Sequence, residues 1–215
     1  MEKVGVKRRR KMGRPSVEES RTLDEVLKNR ALGLFLELGY DGVSMDAIAQ
    51  AAGITKRTLY ARYNNKRELF SDVMAVAAYT WEFDDSGLST DSHDSLDDAL
   101  MAVAAVLLTQ AIDPEYIKIG RLAASQAESF PDEVKRGYNT ALSPRIQTIA
   151  RVIQQYRDQV QDEYLQDIEI TAELFLGLIS GLPTRLASFG IVRERELELM
   201  RAKQGVALFV RGISH

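Results

Sequence analysis

From about residue 22 to the end of the chain, apolar side chains recur at steps of three and four residues. No segment sustains the period-two alternation of a half-buried strand. A chain with this rhythm buries one stripe of each helix against other helices. We therefore expect an all-α fold of about nine helices, without internal repeats. At 215 residues and 45% hydrophobic content, the chain can supply one or two domains with a real core.

Start and stop signals divide that pattern. Helix one is expected over 22–38, on a stripe of Leu23, Val26, Leu27, Leu34 and Leu38 widened by Phe35, with Gly39 as its stop. Ser44 reads as the cap of a short helix over 45–52, with Asp46 near the positive end of its dipole, and Gly53 breaks it. Thr55 caps a second short helix over 56–62. Asn65 caps a long one over 66–81, with Leu69, Phe70, Val73, Met74 and Ala77 on its inner face. Residues 82–95 read as an acidic loop. Ser95 opens a helix that reaches Ala111, and Asp113-Pro114 opens the next, to about Ser129. Pro131 opens another, which Pro144 should kink or restart before it ends near Gln159.

The last two long segments carry two apolar stripes each. From Glu169 one stripe is Ile170, Leu174, Leu178 and Leu182, and the other is Ala172, Phe175 and Ile179. Over 193–212 one is Leu199, Ala202, Val206 and Phe209, and the other is Leu197, Met200, Ala207 and Leu208. Two stripes ask for two buried faces. The second face meets another subunit, or the helix is central to a monomer.

Charge is unevenly placed. Residues 1–70 hold 15 Lys and Arg against 9 Asp and Glu; residues 71–215 hold 13 against 22. A basic front on an acidic body suits a front that meets a polyanion. Its extreme is the run Lys7-Arg8-Arg9-Arg10-Lys11 followed by Gly13-Arg14-Pro15, read as a flexible arm over 1–19. Such an arm could hold nucleic acid, act as a nuclear-import tag or remain a solvated tail. Arg14 between Gly and Pro suits a narrow minor groove. There is no cysteine, so no disulfide framework and no thiolate chemistry. The longest uninterrupted apolar run, residues 99–108, is too short for a bilayer, and no apolar stretch follows the basic start. We expect a cytoplasmic protein.

Residues 45–63 concentrate the functional signal. Ala49 stands where two helices must nearly touch, and Gly53 follows at the turn. Ile48, Ala52, Ile54 and Leu59 are apolar where a shared core would lie. A helix-turn-helix needs this set. Its second helix would carry Thr55, Lys56, Arg57, Thr58, Tyr60 and Arg62, donors for phosphates and base edges. An ordinary helical hairpin with a solvated charged face is the plainer alternative on these residues alone.

The stretch from Phe35-Leu36-Glu37-Leu38-Gly39-Tyr40 to Ala47-Ile48-Ala49 resembles the DNA-binding domain of the TetR (tetracycline-repressor) family. So do Ala52-Gly53-Ile54-Thr55-Lys56-Arg57-Thr58-Leu59-Tyr60 and Tyr63-Asn64-Asn65-Lys66-Arg67-Glu68-Leu69-Phe70. The likeness is continuous over about 22–75. It implies a helix-turn-helix domain over 20–66 and a ligand-binding and dimerisation domain over 67–215. It implies that residues 56–62 enter the major groove, with Thr55, Lys56, Arg57 and Thr58 on bases and phosphates. Tyr60, Ser44 and Lys66 would bond phosphates, and Arg14 would tip the arm in the minor groove. Tyr63 matches a core aromatic, and Asn64 replaces the more usual Gly or Pro. The stretch from Arg121-Leu122-Ala123 to Glu128-Ser129-Phe130-Pro131 resembles the AefR-like C-terminal domain. That domain would dimerise through its last two long helices, with Leu174, Leu178, Leu182, Leu197, Met200 and Leu208 at the interface.

The expected function is a DNA-binding transcriptional regulator, a homodimeric repressor on a palindromic operator, released by an unidentified small-molecule effector. Release would be a population shift in which the helix over 66–81 swings and the recognition helices lose their spacing. Trp81, Tyr116, Tyr138 and Phe175 are candidate pocket walls, although plain core packing suits each of them too. The alternative is a non-specific architectural DNA-binding protein held by charge alone. Enzyme chemistry finds no nucleophile motif: in Gly177-Leu178-Ile179-Ser180-Gly181 the serine stands one place too late for a nucleophile elbow. His93, among loop carboxylates, reads as solvated rather than metal-bound, and the sequence calls for no cofactor and no metal.

Overall fold

The computed structural model describes residues 17–80 and 93–215, with side chains over 21–77 and 93–215. Arg14 and residues 1–16 of the arm, Trp81 and most of the acidic loop lie outside the described residues, while residues 17–19, expected in the arm, open the first helix. Among the described residues the fold is all-α, with one isolated bridge between Val160 and Ser214. The elements are α1 (Val17–Gly42), α2 (Met45–Ala51), α3 (Lys56–Tyr60), α4 (Lys66–Thr80), α5 (Leu96–Ala111), α6 (Pro114–Ser125), α7 (Pro131–Gln155), α8 (Asp162–Gln166), α9 (Ile168–Leu176), α10 (Leu182–Ser188) and α11 (Arg195–Ile213). Five residues of π-helix, Gly177–Gly181, join α9 to α10 without a break.

Side-chain caps set many of these starts. Ser44 accepts from Ala47 N at 3.1 Å, Thr55 from Thr58 N at 3.1 Å, and Ser95 from Asp98 N at 3.2 Å. Asp113 accepts from Glu115 N and Tyr116 N ahead of Pro114. Each removes an orphan N–H at a helix start, a contribution of about 1 kcal/mol. Asn65 caps α4 through Glu68 N, while the Glu68 carboxylate takes both the backbone and side-chain N–H of Asn64. Asn64 thus closes the turn that Gly or Pro closes elsewhere.

Two hydrophobic cores result. The first unites α1 to α4: Leu27, Ala31, Phe35, Val43, Ile48, Leu59, Leu69, Phe70 and Val73. The buried stripe of α1 is Leu27, Ala31 and Phe35; Val26 and Leu38 face solvent, because the four-residue step from Leu27 fixes the inner line. Leu122 of α6 and Phe130 before α7 also belong to this core, so it crosses the boundary expected at residue 66. Phe130 packs on Tyr40 and Phe70 at 4.9 and 4.8 Å between ring centres. The second core is built from α5, α7, α9, the π-helical turn and α11.

One sequence expectation is corrected here. Pro144 neither breaks nor restarts α7, which runs continuously from Pro131 to Gln155. Proline leaves the carbonyl of Thr140, four residues back, without its main-chain partner, yet the helix continues through it; the Arg145 guanidinium donates to the neighbouring carbonyl of Ala141. Apolar length has a second example beside the uninterrupted run over 99–108. Ile168–Ser188, at 21 residues, is long and apolar enough in composition to cross a membrane. It reaches that apolar content because it has two stripes. The Ala172, Phe175 and Ile179 stripe is buried, and Ile170, Leu174, Leu178 and Leu182 are exposed.

Candidate nucleic-acid interface and ligand cleft

The first core holds α2 and α3 in a tight turn. Ala49, at the crossing, is buried, and its carbonyl accepts from Ile54 N at 3.0 Å. Gly53 bridges the helices at φ 66°, a region that side chains with a Cβ rarely enter. Beneath α3, Leu59 is fully buried, while Thr55, Lys56, Arg57 and Tyr60 point to solvent. Tyr60 is 50% exposed. Thr58 is half-buried; its hydroxyl lies 2.8 Å from that of Thr55. Lys56 pairs with Asp46 of α2 at 2.5 Å, both largely solvent-exposed. Such a pair is worth at most about 1 kcal/mol and can exchange for a phosphate. Ser44 is exposed, though its hydroxyl oxygen already caps α2.

Lys66 is placed differently from the outward phosphate donor that the resemblance implies. Its Nζ donates to the carbonyls of Tyr40 at 2.8 Å and Val43 at 2.9 Å, and lies 4.3 Å from the centre of the Tyr40 ring. Those carbonyls follow the point where Gly39, at φ 72°, interrupts α1. The ammonium therefore satisfies a broken helix end from inside, with one N–H left over.

Tyr63 is buried beside a polar cluster that ties α1 to α4. Its hydroxyl donates to Asp72 at 2.7 Å, and Lys28 bridges Asp24 and Asp72 at 2.9 and 2.8 Å. Burial pushes the Tyr63 phenol well above its ordinary value, and its hydrogen bond to Asp72 pushes the same way. Burial acts to raise the Asp72 carboxyl, but the hydrogen bonds from Lys28 and Tyr63 outweigh it and leave it low.

The helical body opens a cleft of about 1160 Å³ between α5, α6, α7 and the α9–α10 helix. Tyr116 and Tyr138 line it. Phe175 is not among the lining residues: it is fully buried and packs on Phe209 at 5.0 Å, because it belongs to the inward stripe of α9. The sequence reading missed the arginines in the wall, Arg121, Arg145 and Arg185. A signal for Arg145 existed. It falls on the inner stripe of α7, among Leu142, Ile149 and Val152, where a charged residue needs a reason.

At the far side of the body, Leu174, Leu178, Leu182, Leu197, Met200 and Leu208 are all exposed, Leu174 and Leu208 to more than 60%. They share the outer faces of α9, α10 and α11. Behind them, buried Glu198 pairs with Arg193 and Arg201. Arg201 also donates to the carbonyls of Leu178, at 3.0 Å, and Ile179. A π-helical turn takes carbonyls off the regular ladder, and this guanidinium receives two of them. His93, for its part, offers its main-chain carbonyl to the Tyr156 hydroxyl at 2.7 Å.

Comparison with known proteins matches both halves. Residues 29–73 match the model of bacterial regulatory proteins of the tetR family, and residues 98–212 that of the AefR-like transcriptional repressor C-terminal domain. The chain is 29% identical over 112 residues to the biofilm operon icaADBC HTH-type negative transcriptional regulator IcaR of Staphylococcus epidermidis. That match takes in 52% of this chain and only 58% of that protein's length. It is 29% identical over 141 residues to the DNA-binding transcriptional repressor TetR of Mycobacteroides abscessus, covering 64% of this chain and 71% of that one. Among solved structures, a TetR-family transcriptional regulator from Mesorhizobium loti superposes with a TM-score of 0.79 at 24% identity, covering 91% and 98% of the two chains. The flavonoid-responsive regulator FrrA does so with a TM-score of 0.70 at 25% identity, covering 90% and 98%.

Proposed function

Because this chain belongs to the TetR family of DNA-binding transcriptional regulators, with an AefR-like C-terminal domain, we propose that it is a cytoplasmic repressor that grips a palindromic operator as a homodimer and lets go when a small molecule fills the cleft. The observation that carries the DNA half is α3, with Thr55, Lys56, Arg57 and Tyr60 outward over a fully buried Leu59. A helix anchored this way can lie in a major groove with its N-terminal side chains on base edges. Thr55, Lys56, Arg57, Thr58 and Tyr60 are the proposed contacts, with Ser44 and Arg14 on the backbone and minor groove. Two such helices must stand about one helical turn apart, which requires a dimer. The exposed leucines of α9 to α11 supply a self-complementary apolar face for it.

The ligand half rests on α6. One of its faces lines the cleft with Gly120, Arg121 and Ala124, and from the other Leu122 enters the core under the recognition helix. Phe130 lies against Phe70 of α4, and Arg67 of α4 lies 4.6 Å over the Phe130 ring. A ligand that favours one position of α6 thereby favours one position of α4 and of the reading head. FrrA, the structural neighbour named for its response to flavonoids, supports a small-molecule reading of the cleft.

The test is selection of bound sequences from a random duplex pool near physiological salt. The expected result is an enriched two-fold palindrome. Binding without enrichment, lost steeply with salt, would instead mark a non-specific coating protein. Release is tested by measuring effector affinity for free and operator-bound protein; equal affinities would rule out coupling, since linkage is reciprocal.

A further inference from the structure

We propose that Arg201 is a positioning residue: it takes over two carbonyls that Pro183 leaves without donors in the α9–α10 helix, and so ties the wall of the cleft to α11 and the outer leucine face. The inference rests on the cleft being the effector site and adds how its state is carried away from it. Pro183 is buried and lies inside the continuous helix Ile168–Ser188. A proline has no N–H to give. In the α register the orphan is the carbonyl four residues back, that of Ile179; in the π register it is the one five back, that of Leu178. Arg201 reaches both. One Nη donates to the Leu178 carbonyl at 3.0 Å and the other to that of Ile179. Its Nε donates to Glu198 at 3.1 Å, and Glu198, buried, is held in turn by Arg193 at 2.6 Å. The fork of one guanidinium thus replaces the donor that the ring removes in either register.

The place of this repair gives it a use. The π turn presents three faces. Gly177, Ser180 and Gly181 line the cleft, Ile179 is fully buried, and Leu178, with Leu182 just beyond the turn, is exposed on the outer side. α11 packs closely against it. A Cβ at Gly205 would stand 3.3 Å from Ile179 and 3.6 Å from Leu178, so bare backbone is what lets the two helices approach. The same α11 carries exposed Leu197, Met200 and Leu208. Helices bend at prolines and at π-bulges. A bend whose carbonyls were bonded only to water would let α9 and α10 yield separately to whatever fills the cleft. With those carbonyls fixed on Arg201, a displacement of the wall is handed to α11 instead. Coupling between sites is carried by packed side chains and hydrogen bonds, and here one side chain makes the connection.

The first test is a double-mutant cycle on the full chain, read by denaturant unfolding at one protein concentration. Arg201→Met should lower the folding constant by about tenfold or more, the scale of charged hydrogen bonds lost from two carbonyls. Pro183→Ala returns an N–H to the ladder, and in that background the same replacement should cost at least about fivefold less. Equal costs in the two backgrounds would overturn the proposal, since a role through Glu198 alone does not depend on Pro183. Should Arg201→Met not fold, its folding in the Pro183→Ala background is the rescue, and failure in both overturns. The second test follows transmission by hydrogen exchange. Gly120→Leu fills the cleft from α6, where a Cβ meets nothing within 4 Å. Exchange in α11 should change by about fivefold or more, the low end of coupling between sites. Adding Pro183→Ala, which gives the carbonyls back to their own helix, should abolish that change. A silent α11 in Gly120→Leu, or a response that outlasts Pro183→Ala, would also overturn the proposal. Operator release is scored separately. Both expected results in a chain that selects no operator would sink the repressor reading and spare this inference; effector-driven release that persists in Pro183→Ala would do the opposite.

Discussion

Replacing Lys66 by methionine separates two roles that one lysine could play. Lys66→Met keeps most of the stem and removes the ammonium. Two carbonyls, Tyr40 O and Val43 O, are then left without their donor, and the cation over the Tyr40 ring is gone. Hydrogen bonds to a charged group contribute about 1.5–3 kcal/mol, and a cation over an aromatic ring about 0.5–1 kcal/mol. The two hydrogen bonds share one partly solvated ammonium, so we take about 2–3 kcal/mol in all rather than their sum. For a chain of this size that lowers Tm by about 4–12 °C. The assay is thermal unfolding, paired with the salt dependence of operator binding well below the transition. An inward clamp leaves the slope of log affinity against log salt unchanged. A lysine that neutralises a phosphate contributes about 0.9 to that slope, so its removal from both protomers of a dimer makes the slope shallower by about 1.8. An unchanged Tm with a reduced slope would refute the clamp.

Arg57→Ala should weaken operator binding by about 1–3 kcal/mol and relax preference at one base position, read by repeating the sequence selection; a uniform loss on all DNA would argue against base readout. Leu178→Glu or Leu208→Glu should leave the fold intact but give a monomer in sedimentation equilibrium, with operator binding lost, because a carboxylate cannot be buried unpaired at the proposed interface. Phe130→Ala should cost about 3–5 kcal/mol by emptying a fully packed ring site, and effector should then no longer release DNA; wild-type release would contradict the route through Phe130. Alkaline unfolding should begin near pH 10. The Tyr63 and Lys28 pKa values are both raised on folding, so the folded state keeps protons that the unfolded chain gives up, and stability falls as pH rises past the ordinary values. The lowered Asp72 pKa adds stability that is lost below about pH 4. Tyr63→Phe should blunt the alkaline loss in denaturant titrations across pH.

Local chemistry was the legible part. Ser44, Thr55, Ser95 and Asp113 cap helices within a residue of where the sequence puts them, because a cap is a contact between neighbours along the chain. The two stripes of the last long helices were legible as well, since 3.6-residue geometry separates Leu174 from Phe175 without any partner being known. The sequence did not tell which stripe meets what. Phe175 was a candidate cavity wall for which plain core packing was the favoured alternative, and its packing against Phe209 is of the second kind. The partners of Lys66 and Arg145 were illegible for a related reason, although a charge on the inner stripe of α7 marked Arg145 itself: a long side chain reaches partners many residues away, and periodicity records where it starts rather than where it ends. Pro144 is a signal that the surroundings overrode, as the intact α7 shows.

Leu122 and Phe130 in the core beneath the recognition helix carry a consequence for engineering. Regulators of this shape invite exchange of their parts, a reading head from one grafted onto the sensor of another. In this protein a graft cut at the start of α4 would part Tyr40 from both Phe70 and Phe130 and leave it facing an empty ring site. The joint has to be drawn so that residues 122–130 travel with the head, or are rebuilt to fit it. Modularity here runs along the packing and not along the chain.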